Sequence, residues 1–192
     1  MVLPKHYQDI KQQTEVSGFT MASDLKTGTL LRTLAASKPK GAFLEIGTGT
    51  GLSTAWILDG MDAASRLISI DHDPAFLSIA RQFLASDNRL TLELADGKSW
   101  LLNRYQQRAT KQTMFDFIFA DSWHGKYFLL EEALALLNPH GLYIIDDMLP
   151  QPNWPEGHDK KVSGLLNKLE ENPFLAITVL DWSTGIVIAT KK

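Results

Sequence analysis

Residues 42–53, which read AFLEIGTGTGLS, contain a short apolar run, three glycines and the start of a helical pattern. The run Ala42–Ile46 is typical of a buried strand. Gly47, Gly49 and Gly51 allow a tight turn, and they let the backbone approach a ligand at the N-terminus of the next helix. The spacing differs from the dinucleotide pattern G-x-G-x-x-G, and the Lys-Ser/Thr ending of a P-loop is missing. The segment therefore predicts a strand, a ligand-binding loop and a helix.

Strand-like and helical segments alternate along the following part of the chain. Four further β-branched or aromatic runs are typical of strands, at residues 66–70, 90–94, 115–120 and 142–145. Helical patterns lie between and after these runs, at residues 52–60, 74–86, 98–110 and 126–137. Such alternation predicts βαβ units and a parallel sheet that helices cover on both faces.

The two ends of the chain follow other patterns. Residues 25–36 form a helical stretch, which is expected to cap one edge of the sheet. After the fifth strand, three prolines indicate a stiff loop: Pro150, Pro152 and Pro155. Residues 159–172 then have a helical pattern. Two alternating runs, 175–181 and 186–190, flank a short turn and predict a terminal hairpin.

A carboxylate follows or ends each of the five predicted parallel strands, at Glu45, Asp71, Asp96, Asp121 and Asp146. Their spacing of 25 or 26 residues is about one βα unit. Open α/β sheets bind ligands outside the carboxyl ends of their strands, so this rim is the expected site. Asp71, 20 residues beyond Gly51, can accept hydrogen bonds from the two hydroxyls of a ribose. The alternative is that each acid only caps a helix or begins a turn.

Composition narrows the class of protein. The 192 residues, 44% hydrophobic and 21% charged, are typical of one globular domain spanning residues 1–192. A net charge of -3 offers no general reason to bind nucleic acid or an anionic membrane. The absence of cysteine excludes disulfides, thiolate nucleophiles and Cys-ligated metals. No membrane-length apolar run or signal-like N-terminus is visible, so a cytoplasmic protein is expected.

Three motifs resemble the cofactor-binding half of class I S-adenosylmethionine (SAM) methyltransferases: FLEIGTGTGLST, LISIDHDP and LADGKSWL. FDFIFADSWHGKY and LYIIDDML resemble the catechol and caffeoyl-CoA type of O-methyltransferase, which depends on a divalent cation. GFTMASDLKTGTLL is similar to that group's segment beside the cofactor and the acceptor. The resemblance covers residues 18–192. It implies an α/β, Rossmann-like methyltransferase fold with a seven-stranded, mainly parallel sheet, an antiparallel last strand and helices on both faces.

The resemblance also implies roles for individual residues. The three loop glycines make room for the methionyl part, while Glu45 helps to hold its amino group. Asp71 holds the ribose and Asp96 the edge of the adenine. The full set expected to border the cofactor is Met21, Ala22, Ser23, Glu45, Gly47, Thr48, Gly49, Gly51, Ser53, Asp71, His72, Asp96, Gly97, Asp121 and Trp123.

Asp121, Asp146 and Asp147 are the candidate metal ligands. Adjacent strand ends bring these carboxylates together, which is unfavourable without a cation. All-oxygen ligation favours Mg²⁺ or another hard divalent ion. In the family the matching positions are ligands, although the third is usually Asn, so Asp147 adds a negative charge. The alternative for the Asp146-Asp147 pair is helix or turn capping.

His124 is the candidate catalytic base, because it stands where the family usually carries a catalytic lysine. An imidazole has an unperturbed pKa of ~6.5 and accepts a proton near neutral pH. The alternative is a histidine in a surface loop. Trp123 and Trp154 are candidates for walling a planar acceptor.

The expected function is SAM-dependent methyl transfer to a small hydroxylated acceptor, such as a phenol, with a divalent cation holding the acceptor oxygen. A metal-independent small-molecule methyltransferase and a non-catalytic SAM-binding module remain alternatives. RNA modification is disfavoured, since no basic patch is visible in the sequence. Whether the chain forms a homodimer stays open.

Overall fold

Seven strands form one sheet in the computed structural model, which describes residues 2–108, 114–151 and 154–192. In chain order they are β1 (Ala42–Ile46), β2 (Arg66–Asp71), β3 (Leu90–Leu94), β4 (Phe115–Ala120), β5 (Leu137–Ile145), β6 (Leu175–Leu180) and β7 (Ile186–Lys191). All of the strands predicted from the sequence are present. Only β5 is clearly longer than predicted, because Leu137 pairs with Phe115 before an irregularity in the register.

The sheet has the strand order β3-β2-β1-β4-β5-β7-β6. The first five strands pair in parallel, and β7 is antiparallel to both β5 and β6. The predicted Rossmann-like arrangement with an antiparallel last strand is therefore confirmed. After β3 the chain returns to the other side of β1, so β1 and β4 form a topological switch point. Their carboxyl ends are where an open α/β sheet binds its ligand.

Seven helices are described: α1 (Tyr7–Ser17), α2 (Leu25–Ala36), α3 (Leu52–Gly60), α4 (Pro74–Leu84), α5 (Gly97–Gln107), α6 (Leu130–Ala135) and α7 (His158–Glu170). Those after β1 agree with the predicted helices to within a few residues at each end, and α2 agrees at both ends. The end of the predicted helix 98–110 and Pro152 lie outside the described residues. Within the described ranges, no helix combines the length and apolarity needed to cross a membrane.

Helices pack on both faces of the sheet, and successive side chains of a strand point to opposite faces, so strand residues enter two cores. On β4, Ile118 faces a core that contains residues of α5, α6 and α7. Phe117 and Phe119 face a second core, which contains residues of α1, α2, α3 and α4. Burying a large apolar side chain contributes about 1.5–3 kcal/mol. The predicted helix layers on both faces are confirmed.

Two expectations about the helices need correction. Helix α2 does not cap an edge, since Leu31 and Ala35 are buried in the same core as Phe43 of the central strand β1. Helix α1 was not predicted. Its buried residues Tyr7, Ile10 and Thr14 follow helical spacing, but they are few within a polar segment.

Candidate active site

The glycine-rich loop between β1 and α3 has a backbone that favours glycine at three positions. Gly47, Gly49 and Gly51 have φ angles of 107°, 52° and 97°. A Cβ atom at Gly47 would lie 2.5 Å from the backbone oxygen of Asp121, which follows β4. On the other side, the amide of Gly47 donates to the carbonyl of Ile70 in β2, at 3.0 Å. The two strands that flank β1 thus hold this loop at the switch point.

Asp71 joins the end of β2 to the same loop. Its Oδ2 accepts a hydrogen bond of 2.7 Å from the amide of Gly49, and its Oδ1 accepts one of 2.9 Å from the amide of Asp73. A carboxylate oxygen accepts more than one hydrogen bond, so both oxygens keep capacity for further donors. The neighbouring His72 has a side chain 82% exposed, with Nδ1 3.5 Å from Asp71 Oδ1. The carboxylate predicted to hold a ribose is therefore already oriented by the loop.

Glu45 lies within β1 and is fully buried. Its carboxylate accepts hydrogen bonds from the hydroxyls of Ser53, Thr54 and Ser69, at 2.6, 2.5 and 2.5 Å. Burial raises the pKa of Glu45 to about 7, and the hydroxyl donors oppose that rise. The Ser69 hydroxyl also shares a hydrogen bond of 2.6 Å with that of Thr48. The structure thus unites three predicted residues, Glu45, Thr48 and Ser53, in one network beside the loop.

Asp96 is the N-cap of α5. Its Oδ2 accepts hydrogen bonds from the amide and the hydroxyl of Ser99, at 3.0 and 2.9 Å, and these hold the pKa of Asp96 below its ordinary value. The capping role considered as an alternative is therefore present. Both hydrogen bonds from Ser99 end on Oδ2, and the backbone amide of Lys98 also lowers the pKa of Asp96, so the adenine contact of Asp96 stays a prediction.

The segment between α1 and α2 covers the glycine loop. A Cβ atom at Gly49 would lie 2.8 Å from the ring of Phe19, whose centroid is 4.6 Å from that of Phe76 on α4. Helix α1 is attached beside it by a hydrogen bond of 2.7 Å between the hydroxyls of Thr14 and Thr50. Phe19 was not predicted, although it lies within the quoted motif GFTMASDLKTGTLL.

The three predicted residues at positions 21–23 lie in this covering segment. The Ser23 hydroxyl donates to Asp121 Oδ2 at 3.2 Å, which brings the segment to the end of β4. Ala22 packs against the core beneath, whereas Met21 is 67% exposed. Ser23 therefore borders the carboxylates directly, and Met21 stands at the solvent side.

The predicted carboxylates come together at the ends of β4 and β5. Asp146 is buried, and its Oδ1 accepts hydrogen bonds from the Thr184 hydroxyl at 2.5 Å and from the Asp147 amide at 2.8 Å. Burial raises the pKa of both Asp121 and Asp146, and repulsion from the neighbouring carboxylates raises it further. Thr184 belongs to the turn of the terminal hairpin, and no local pattern in the sequence connects it to this site.

Lys126 is a further charged residue of this cluster, and the sequence analysis did not single it out. It is 5% exposed, and its Nζ lies 3.6 Å from Asp121 Oδ1. Its positive charge lowers the pKa of both Asp121 and Asp146, against the effect of burial. A basic residue five positions beyond Asp121 was the available signal, within the motif FDFIFADSWHGKY.

The turn at Gly125 places His124 and Lys126 in different parts of the site. Gly125 has a φ angle of 85°, and its carbonyl accepts a hydrogen bond of 2.5 Å from the Tyr143 hydroxyl. Before the turn, the His124 ring lies so near Gly97 that a Cβ there would be 3.1 Å from its Nδ1. The structure therefore brings His124 to the start of α5, and Lys126 to the carboxylates. The general-base role of His124 stays a prediction, and this geometry does not support it.

The groups around the three carboxylates show whether these carboxylates fit a divalent cation. Across residues 2–108, 114–151 and 154–192, no group of three or more His, Asp or Glu side chains is placed to hold a metal ion. One oxygen of Asp121 faces the Lys126 ammonium, and one oxygen of Asp146 is engaged by an amide and a hydroxyl. An ammonium at this position repels a second cation. As arranged here, the residues do not fit the predicted metal.

Aromatic side chains gather in the segment that follows β4 and at the start of α7. Trp123 is 45% exposed, and its ring meets that of Tyr127 edge-on, with centroids 6.0 Å apart. The Tyr127 hydroxyl and His158 Nε2 share a hydrogen bond of 3.0 Å, and the ring of Trp154 lies 4.6 Å from that of His158. Burial, with a smaller effect of Asp147, raises the pKa of Tyr127 to about 12. The two predicted tryptophans therefore meet in one aromatic cluster with Tyr127 and His158, which were not predicted.

A protein-family model described as "Methyltransferase domain" matches residues 44–148. The match covers more than half of the chain and includes the glycine loop, the ribose-site motif and both carboxylate motifs. The chain therefore belongs to this family of methyltransferase domains, and the family resemblance seen in the sequence is confirmed.

Individual relatives agree with this assignment. A protein of Mycolicibacterium vanbaalenii, whose name places it among O-methyltransferases, is 30% identical over 122 residues, 62% of this chain and 52% of that protein. The chain spans about half the length of the curated relatives it matches.

Solved structures share the fold over nearly the whole chain. An O-methyltransferase from Bacillus cereus in complex with SAH has a TM-score of 0.83 and 20% identity, covering 97% of this chain and 90% of that one. The O-methyltransferase TomG from Streptomyces achromogenes, in complex with SAM, has a TM-score of 0.81 and 20% identity, covering 97% and 89%.

Proposed function

We propose that this chain is a SAM-dependent methyltransferase that transfers the methyl group to a hydroxyl of a small molecule. The observation that carries the proposal is the glycine loop tied to Asp71 at the switch point between β1 and β4. Membership of the methyltransferase-domain family supports it, as do the names of the relatives and the SAH and SAM bound to two proteins of the same fold.

The residues beside the loop fit this cofactor. The loop leaves backbone rather than side chains facing a ligand, which suits the methionyl part. The remaining acceptor capacity of Asp71 suits the two ribose hydroxyls, and the Asp96 carboxylate suits the adenine amino group. Phe19 and Ser23 belong to a segment that covers this side of the site.

When bound, SAM supplies a methyl group activated by a positively charged sulfur. The chain then has to hold the acceptor oxygen in line with that methyl group, so much of the rate gain is positional. The aromatic cluster beside Asp121 offers flat ring surfaces, which suit a planar acceptor such as a phenol. The divalent cation stays a prediction from the sequence, and no step proposed here depends on it.

Further properties belong to the same proposal. Residues 1–192 form one methyltransferase domain that acts in the cytoplasm on a small molecule. A net charge of -3 supports a partner other than nucleic acid or an anionic membrane. A homodimer stays an open prediction.

Calorimetric titration with SAH tests the cofactor site. Asp71→Asn replaces a charged acceptor by a neutral amide of the same size, so we expect about tenfold or weaker binding. Asp73→Asn is the matched control, since Asp73 is the N-cap of α4 and Asn is an equally good cap. Equal affinity in the wild type and Asp71→Asn would remove the assignment of Asp71.

Transfer itself is tested with SAM labelled on the methyl group and a panel of polyphenols and aliphatic alcohols. We expect label in a phenolic product when Asp71 is intact. Normal SAH binding without transfer to any hydroxylated compound would contradict the proposed methyl transfer and favour the alternative function, a non-catalytic SAM-binding module.

A further inference from the structure

We propose that the Lys126 ammonium is the resident cation of this site, in the place where the sequence predicts a divalent metal. Lys126 is then a positioning residue that acts through Asp121. Its role in transfer rests on the proposed function, whereas its position in the carboxylate cluster does not.

The position of Lys126 is the first argument. Its Nζ lies 3.6 Å from Asp121 Oδ1, and the residue is 5% exposed. Asp121 follows β4, and Asp146, whose ionisation Lys126 also favours, follows the adjacent β5. An ammonium is a compact point charge with three donors, so it can neutralise carboxylates from two strands at once.

The rigidity of the turn is the second argument. Gly125 packs so closely that a Cβ atom there would lie 2.8 Å from the Tyr143 hydroxyl and 3.0 Å from Ile46 Cδ1. On the other side of Lys126, the Tyr127 hydroxyl shares a hydrogen bond with His158 Nε2. Both neighbours of Lys126 are thus anchored, and its side chain stays in the cluster.

The consequence for the site is electrostatic. Without a cation, burial and mutual repulsion would favour the protonated forms of Asp121 and Asp146, whereas the Lys126 ammonium favours their ionised forms. With Lys126 in place, Asp121 can keep its hydrogen bond from Ser23, and Asp146 its bond from Thr184. The two carboxylates that hold the covering segment and the terminal hairpin are therefore compensated by the chain's own positive charge.

Binding of Mn²⁺, followed by the electron paramagnetic resonance signal of the free ion, tests this proposal. The variants are Lys126→Met, which removes the charge at similar length, Lys126→Arg, which keeps it, and Lys168→Met, a control on the exposed side of α7. We expect weak binding by the wild type, Lys126→Arg and Lys168→Met. Lys126→Met should bind Mn²⁺ about tenfold more tightly or better, because the carboxylates lose their internal partner.

Specific binding of one Mn²⁺ per wild-type chain would overturn the proposal, and so would an unchanged Mn²⁺ affinity in folded Lys126→Met. If Lys126→Met does not fold, the melting temperature of the wild type decides. A rise on adding Mn²⁺ that EDTA reverses would overturn the proposal, whereas no rise supports it. A parallel titration with SAH tests the proposed function separately, because SAH affinity depends on the glycine loop and Asp71.

Discussion

Replacing Glu45 by Gln is expected to change how the stability of this protein depends on pH. Glu45 is fully buried beside the glycine loop, and its carboxylate meets three hydroxyls and no positive charge within hydrogen-bonding distance among the described residues. Gln has the same shape, accepts hydrogen bonds through its carbonyl and cannot ionise. The substitution therefore removes the charge while it retains the packing.

The sign and size of this change in stability follow from the pKa of Glu45, which burial raises from 4.5 to about 7. Because the folded state binds this proton more tightly than the unfolded chain, the contribution to stability is fully present below about pH 4.5. It is lost as the pH rises through about 7. The difference in proton affinity corresponds to about 3 kcal/mol, of which about 2.5 kcal/mol is lost between pH 5 and pH 8.

Urea unfolding of the wild type and Glu45→Gln at each pH from 5 to 8, followed by circular dichroism, measures this effect. The wild type should lose about 2.5 kcal/mol relative to the variant over that interval. Glu93→Gln is the control, because Glu93 is a partly exposed glutamate of β3 that accepts a hydrogen bond of 2.6 Å from Trp100. A difference between the wild type and Glu45→Gln that stays constant across pH would refute the reasoning.

Two other substitutions test the loop and the turn. Gly47→Ala should destabilise the fold by about 2–4 kcal/mol, because the φ of 107° and the close Asp121 backbone both exclude a Cβ atom. The control is Gly164→Ala, in open space within α7, which should raise the free energy of unfolding by about 0.5–1 kcal/mol. An equal response of the two variants to urea would contradict the strain assigned to the loop. His124→Ala should raise the KM for SAM more than it lowers kcat, because its ring lies against Gly97 and not beside the carboxylates. A fall in kcat of about 10²–10⁴-fold with unchanged SAM affinity would instead restore the general base predicted from the sequence.

The sequence by itself determined the strands and the character of the main loop. Strand residues alternate between two buried faces, so apolar runs such as 115–120 identify strands without knowledge of their partners. The glycines of the loop are similarly informative, because a backbone in the left-handed region is a local property. The acids at the strand ends could be placed on one rim because parallel strands all end there.

Only the tertiary structure decided which side chains meet at the end of β4. His124 and Lys126 are two residues apart, and only Lys126 reaches the carboxylates. Which of the two does so depends on the turn at Gly125, whose carbonyl accepts a hydrogen bond from Tyr143 of another strand. The partner of Asp146, Thr184, is 38 residues away in the terminal hairpin. Such contacts join residues far apart in the chain, and each depends on packing that no local pattern encodes. Carboxylates at adjacent strand ends predicted a cation at this rim, and the folded chain places the Lys126 ammonium 3.6 Å from one of them.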